Sequence, residues 1–456
     1  MRAASLLVLR DAASDSQGFE SAVSSHRQTI IEKGYLSASV VRQLLDLFRA
    51  HYRRWVALRE NRDTEADLDF TGSPLLLCAC CLIAVRHWDS LKAGETAAIL
   101  FTEAKKLLQV QLLEAPQGLA FFQAVLILSL WSTTIGQKPL SIDSWLTSGF
   151  AIQHGKASDV FKDAEYSSSL ESEYTSTVGK LLLWSRLCLA HLHACVSMRR
   201  KAVFGAREID RIKKTLPPGE LSNFEMRMVA ELSLYWDLYE NAVAAPVALP
   251  QAQAALQSWK LVWQFLFDQP RSQFLQMGFH FAQLLIFEQS LNNKSAAVRE
   301  SLISEMVRLS SAILQLAMDT ADERTKHLTD HIYHMISFAA VTLCRLLCKY
   351  EEQMQATQYT ADHDLLIMNT ASWLRTLGTQ LHVGQTMGNV IDAVHRKLRP
   401  SAHNRRRDSE PENATPDTLT FPELLGVDTL DLDWDAILPD WQSLASDEIP
   451  HSAHPA

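Results

Sequence analysis

The chain has 456 residues, 47% apolar and 21% charged, a balance that excludes a wholly disordered protein and supplies enough apolar surface for a large core. Its formal charge of -9 is unevenly spread: residues 408–456 carry 12 Asp or Glu and no Lys or Arg, which leaves the rest of the chain near neutral at a net +3. The longest apolar stretch, Leu119 to Trp131, covers 13 positions where a bilayer crossing takes roughly 20, so no membrane span is expected. Met1 to Arg10 lacks the pattern of a secretory signal.

In chain order, residues 1–25 read as a poorly ordered N-terminal segment and residues 26–399 as a helical body. Val41, Leu44, Phe48, Tyr52 and Trp55 follow the three-and-four spacing of one helical face. Ser73 before Pro74 predicts a helix start, the hydroxyl capping free amides and the proline taking a first-turn position that needs no donor. The segments Leu75–Trp88, Leu119–Trp131 and Leu181–Cys195 are apolar nearly all round and should be central helices. Linkers are expected at Asp159–Thr177, Leu216–Glu220 and Ala242–Pro250. No proline occurs between Pro270 and Pro400, which favours long helices, and Leu302, Met306, Leu309, Ile313 and Leu316 repeat the helical stripe. Strand alternation and hairpin turns are absent, and the fold class is all-α.

Several residue groups invite a chemical reading. Cys188, His191 and Cys195 share a helical face, but their neighbours are Leu187, Leu189, Ala190 and Leu192, so buried packing is preferred to metal binding. His327, His331 and His334, with Asp330 nearby, read as a partly exposed polar face without an HExxH general base. Cys78, Cys80 and Cys81 are too tightly spaced for a zinc knuckle and read as buried thiols. With Cys344 and Cys348 the thiols number seven, all in apolar runs, which reads as reduced, buried thiols inside a cell. No Walker A loop, GxGxxG turn or GxSxG elbow is present, so neither an enzyme nor a bound cofactor is expected.

Two segments carry a stronger signal. Arg396, Lys397 and Arg399, followed by Arg405, Arg406 and Arg407, form a split basic cluster suited to importin recognition and hence to the nucleus. From residue 400 to 456 the composition is that of a disordered acidic tail. There Phe421, Leu424, Leu425, Leu430, Leu432, Trp434, Ile437, Leu438, Trp441 and Leu444 alternate with Glu423, Asp428, Asp431, Asp433, Asp435 and Asp440. Carboxylate repulsion keeps the aromatics available in water, and a coactivator groove can take them up as a short amphipathic helix; docking back onto the body is the alternative.

The run Phe122 to Ser129 with Trp131, then Ser144-Trp145, Gly149-Phe150-Ala151-Ile152, Leu183-Trp184, the helix from His191 to Ser197 and Ile209-Asp210 together resemble the middle homology region of fungal zinc-cluster transcription factors. The resemblance covers roughly residues 25–400 in character and is diagnostic over residues 120–212. Gln153 stands where the family has Arg, the Leu-Gly-Leu-His continuation is lost after Ala157, and Arg199-Arg200-Lys201 replaces a Gly-Arg-Pro turn. The resemblance implies a regulator of a metabolic or secondary-metabolite gene set. The family's six-cysteine zinc cluster has no counterpart in this sequence, so zinc is expected only if such a cluster lies outside this chain. DNA contact is then expected through a DNA-binding partner, with homodimerisation a further possibility. A helical scaffold or ligand-binding protein without a promoter role is the competing reading.

Overall fold

Helix periodicity and the scarcity of proline dictate the architecture. The computed structural model describes residues 28–56, 72–131, 142–161, 171–215, 221–291, 296–350 and 357–402, apart from residues 89, 159 and 380. Among the described residues there is no strand. The helices are α1 (Ala38–His51), α2 (Pro74–Ala84), α3 (Ala93–Gln111), α4 (Leu119–Leu130), α5 (Ser144–Ala157), α6 (Glu171–Met198) and α7 (Ala206–Thr215). They continue as α8 (Asn223–Ala242), α9 (Leu249–Trp263), α10 (Gln273–Ser290), α11 (Ala296–Asp319), α12 (Asp330–Tyr350), α13 (Thr357–Thr376) and α14 (Val383–Leu398).

Neighbours in sequence are mostly neighbours in space. Helices α1 and α3 pack on α2, which leans on α4; α4 meets α5 and α6; α6 meets α8; and the array continues through α10, α11 and α12 to the pair α13 and α14. One continuous apolar core runs through all of them.

Local sequence accounts for the element ends. Ser37 caps α1 by accepting from the Val40 amide, and Asp143 caps α5 by accepting from Leu146. Glu225 reaches back to the Ser222 amide and closes the start of α8. Ser73 precedes α2 with proline in the first turn as expected, but its hydroxyl makes no capping bond. All eleven residues of α2 are buried, so this apolar helix is central and presents no face to water. The linker expected over Asp159–Thr177 is shorter than its composition suggested, because α6 already begins at Glu171.

Two segments, Val178–Met198 in α6 and Asp330–Tyr350 in α12, are long and apolar enough to cross a membrane by length and composition, beyond the 13-residue stretch on which the expectation of no span rests. In the fold they are core helices, with 89% and 72% of their apolar windows buried against other helices.

Glycines set two helix crossings. A Cβ on Gly155 in α5 would overlap the Trp184 ring of α6 and crowd Phe161 at 3.1 Å. A Cβ on Gly388 in α14 would meet the Ala371 carbonyl oxygen of α13 at 2.6 Å. Gly94, by contrast, faces open space. Gly155→Ala and Gly388→Ala should each destabilise the fold by about 1–3 kcal/mol in urea unfolding, while Gly94→Ala should be neutral or stabilising by up to ~1 kcal/mol. Equal effects at the three sites would show that the crossings tolerate a methyl group.

Candidate functional site: a histidine-lined junction and a signature helix

Tyr52 follows α1, and its buried hydroxyl lies between two imidazoles, His87 Nε2 at 2.5 Å and His327 Nδ1 at 3.0 Å. His87 ends the short 3-10 turn after α2, and His327 ends a 3-10 turn just before α12. A hydroxyl donates one proton, so one imidazole must accept from it and the other donate to it. With His327 Nδ1–H as the donor, its buried Nε2, which has no hydrogen-bond partner, is left as a bare lone pair. His51 stacks on His327 at 3.8 Å, and Trp131 stands edge-on to Tyr52 at 5.1 Å.

The same junction holds a buried ion pair. Arg86 Nη1 meets Asp330 Oδ1 at 3.0 Å, Arg86 Nη2 donates to the Trp131 carbonyl at 3.1 Å, and Trp131 Nε1 donates to the Leu328 carbonyl at 2.9 Å. His382 caps α14 by accepting from Gly384 N through Nδ1, so its Nε2–H donates to the Lys326 carbonyl. Burial, reinforced by neighbouring cations and imidazoles, pushes His87 down to about 2 and His327 to about 3. Burial also lowers His382, to about 4, against the opposing hydrogen bond to Lys326. All three rings are therefore neutral at neutral pH. The junction fastens α1, α2, α4, α12 and α14 to one another, and its carboxylate is already occupied by Arg86.

This arrangement corrects the expectation for His327, His331 and His334. They do not share an exposed helical face, because the chain turns between Leu328 and α12. His327 faces Tyr52, whereas His331 lies buried against Tyr235. His51, His87 and His382 are isolated histidines in sequence, and no spacing signal marks them.

The residues that resemble a fungal middle homology region meet across α4 to α7. Ser148 in α5 pairs with His191 Nδ1 of α6 at 2.9 Å, and the Val203 amide donates to His191 Nε2 at 3.2 Å. With Nε2 accepting, Nδ1–H donates to the serine, so His191 has no lone pair left for a metal ion. Cys188 and Cys195 are buried, with thiols pushed up by burial, to about 12 at Cys195. Trp145 Nε1 donates to the Lys201 carbonyl at 2.9 Å beneath the Arg200 guanidinium, and Trp184 Nε1 donates to Glu208. Ser148, Trp145, Trp184 and His191 thus have hydrogen-bonding tasks within the array, whereas Phe150 of the same signature is 41% exposed. Cys78, Cys80, Cys81 and Cys344 are also buried, but Cys348 is exposed, contrary to the reading of all seven as core thiols.

The basic cluster splits. Asp364 of α13 accepts from His395 Nε2 at 3.0 Å and from Arg399 through Nε at 3.0 Å and Nη2 at 2.8 Å. Arg399 is therefore a buried clamp between α13 and α14, a correction to its reading as an exposed import residue. Arg396, paired with Asp392, and Lys397 remain on the exposed face of α14. Arg405, Arg406, Arg407 and the acidic tail lie outside the described residues.

Together the helical array and its signature contacts define the middle region of a fungal transcription factor. The family described as the middle domain of the transcriptional activator of proteases prtT matches residues 34–398, and the chain belongs to it. An uncharacterized transcriptional regulatory protein of Schizosaccharomyces pombe is 26% identical over 370 residues, which cover 79% of this chain and 69% of that one. Transcriptional activators of proteases from Aspergillus clavatus and Aspergillus niger are 27% and 26% identical, over 68% and 71% of this chain. The chain spans about half the length of these Aspergillus relatives, 49% and 51%.

The depressed imidazoles fix a pH dependence. Unfolded histidines take up protons near 6.5, whereas folded His87, His327 and His382 do so only at about 2, 3 and 4. Between those limits the unfolded chain binds more protons, so stability falls as pH falls below 6.5. The urea midpoint should be lower at about pH 5 than at about pH 7, and less so in His87→Phe. A midpoint unchanged between the two would show that these rings titrate alike in both states.

Proposed function

We propose that the chain is a non-enzymatic transcription regulator of the nucleus, whose helical body serves regulation or dimerisation and whose acidic tail activates. The match of residues 34–398 to a family described by a transcriptional activator carries this reading. The class of target genes follows from the relatives' names: a metabolic set, with genes for proteases the foremost candidates. The body has no groove-reading module in its sequence and is close to neutral, so promoter contact is assigned to a DNA-binding partner or to a further part of the protein. Acidic and bulky apolar residues alternate from Phe421 to Leu444, the composition that coactivator grooves take up.

Tethered to a heterologous DNA-binding domain, the chain should activate a reporter several-fold, and removal of residues 408–456 should abolish that activation. A silent tethered chain would sink the activator reading and favour a helical scaffold.

Import is assigned to Arg396 and Lys397, which stand on the exposed face of α14 outside the Asp364 clamp, together with Arg405, Arg406 and Arg407. Replacing Arg405, Arg406 and Arg407 with Ala should move a tagged protein toward the cytoplasm. An unchanged nuclear signal would assign import to another element or to a carrier partner.

A further inference from the structure

Away from the Tyr52 junction, three helices bring a second set of donor groups together. His193 of α6, Glu231 of α8 and His331 in the first turn of α12 each offer one donor atom, and the three atoms lie within 4.8 Å of one another. Among the described residues this is the one group of three His, Cys, Asp or Glu with that convergence. His193 Nε2 and Glu231 Oε1 are 3.1 Å apart, and the His193 and His331 rings lie parallel at 3.7 Å with a 10° tilt. A face-to-face parallel pair is the less favoured arrangement of two aromatic rings, so stacking alone does not explain why three helices converge these groups.

We propose that His193, Glu231 and His331 bind a divalent transition-metal ion of the zinc class. Two imidazoles and one carboxylate are a donor set suited to such an ion, with a water in the fourth position. Bonds of about 2.0–2.2 Å place neighbouring donors roughly 3–3.5 Å apart, the separation His193 and Glu231 already have. The His331 donor lies within 4.8 Å of the other two, and side-chain torsion closes the remaining gap to bonding distance.

The surroundings fit the ion. The Tyr235 hydroxyl, bonded to His331 Nε2, has a second acceptor in Met335 Sδ at 3.4 Å, so it can yield that nitrogen without being stranded. The Glu231 side chain is 29% exposed and that of His193 10%, which gives an entry path from solvent on the carboxylate side. The buried cysteines are not part of the site.

The whole chain, stripped with a chelator and kept reduced, is titrated with Zn2+ by calorimetry and with Co2+ by absorption. One ion per chain is expected, with weak visible Co2+ bands and no thiolate charge-transfer band in the near ultraviolet. Glu231→Gln and His193→Ala should each weaken Zn2+ binding at least about tenfold, and Cys348→Ser should leave it unchanged. Zn2+ should also raise the melting temperature of the parent chain by a few degrees and that of Glu231→Gln by less. Should His193→Ala fail to fold, Glu231→Gln, altered at a partly exposed side chain, carries the test. No Zn2+ uptake by the parent chain, full affinity in Glu231→Gln, or a thiolate band would each overturn the proposal.

Discussion

The ion pair between Arg86 and Asp330 is the constraint on which the fold depends. Both side chains are 3% exposed and they stand 244 positions apart in sequence, so neither charge has a satisfactory environment until distant parts of the chain have met. Such a pair adds little net stability over an apolar substitute, but removing one member costs about 3–5 kcal/mol because the other charge is then stranded. Its worth lies in selecting one arrangement of the array. The Arg86 carbonyl accepts from Thr379 ahead of α14, while the guanidinium reaches the end of α4, so a shift of any of these helices strands several polar groups together.

The Asp364 clamp repeats this logic at the C-terminal end of the described body. One carboxylate gathers His395 and Arg399, and the close approach of α13 to α14 at Gly388 brings those groups within reach. The same stretch of sequence therefore does two things. Positions 395 and 399 face inward and close the array, and positions 396 and 397 face outward, as an i to i+4 helical spacing requires.

Much of the fold was legible in the sequence because helical burial leaves a periodic trace. The stripe from Val41 to Phe48 is buried in α1, and the stripe from Leu302 to Ile313 in α11. Dense apolar stretches likewise marked α2 and α4 as central. The junction left no such trace, since Tyr52, His87, His327 and His382 come from four separate segments and no periodic spacing links them. Spacing misassigned His327 to the helix of His331 because the three-and-four interval was followed across Thr329-Asp330, residue types that favour a helix start. Arg399 was misread for the opposite reason: a run of cations suggests water, and its buried partner Asp364 is 35 positions away.

The distribution of thiols has a consequence for how opening of the molecule can be followed. Six of the seven cysteines are walled off in the core, three of them on α2, and Cys348 alone is open to solvent. An alkylating reagent therefore meets one group at once and the others only when their helices part. The order in which the slow groups react ranks the helices by how readily they separate, with Cys78, Cys80 and Cys81 sampling α2, Cys188 and Cys195 sampling α6, and Cys344 sampling α12. Six native side chains thus act as built-in clocks for local unfolding, with no probe needing to be introduced.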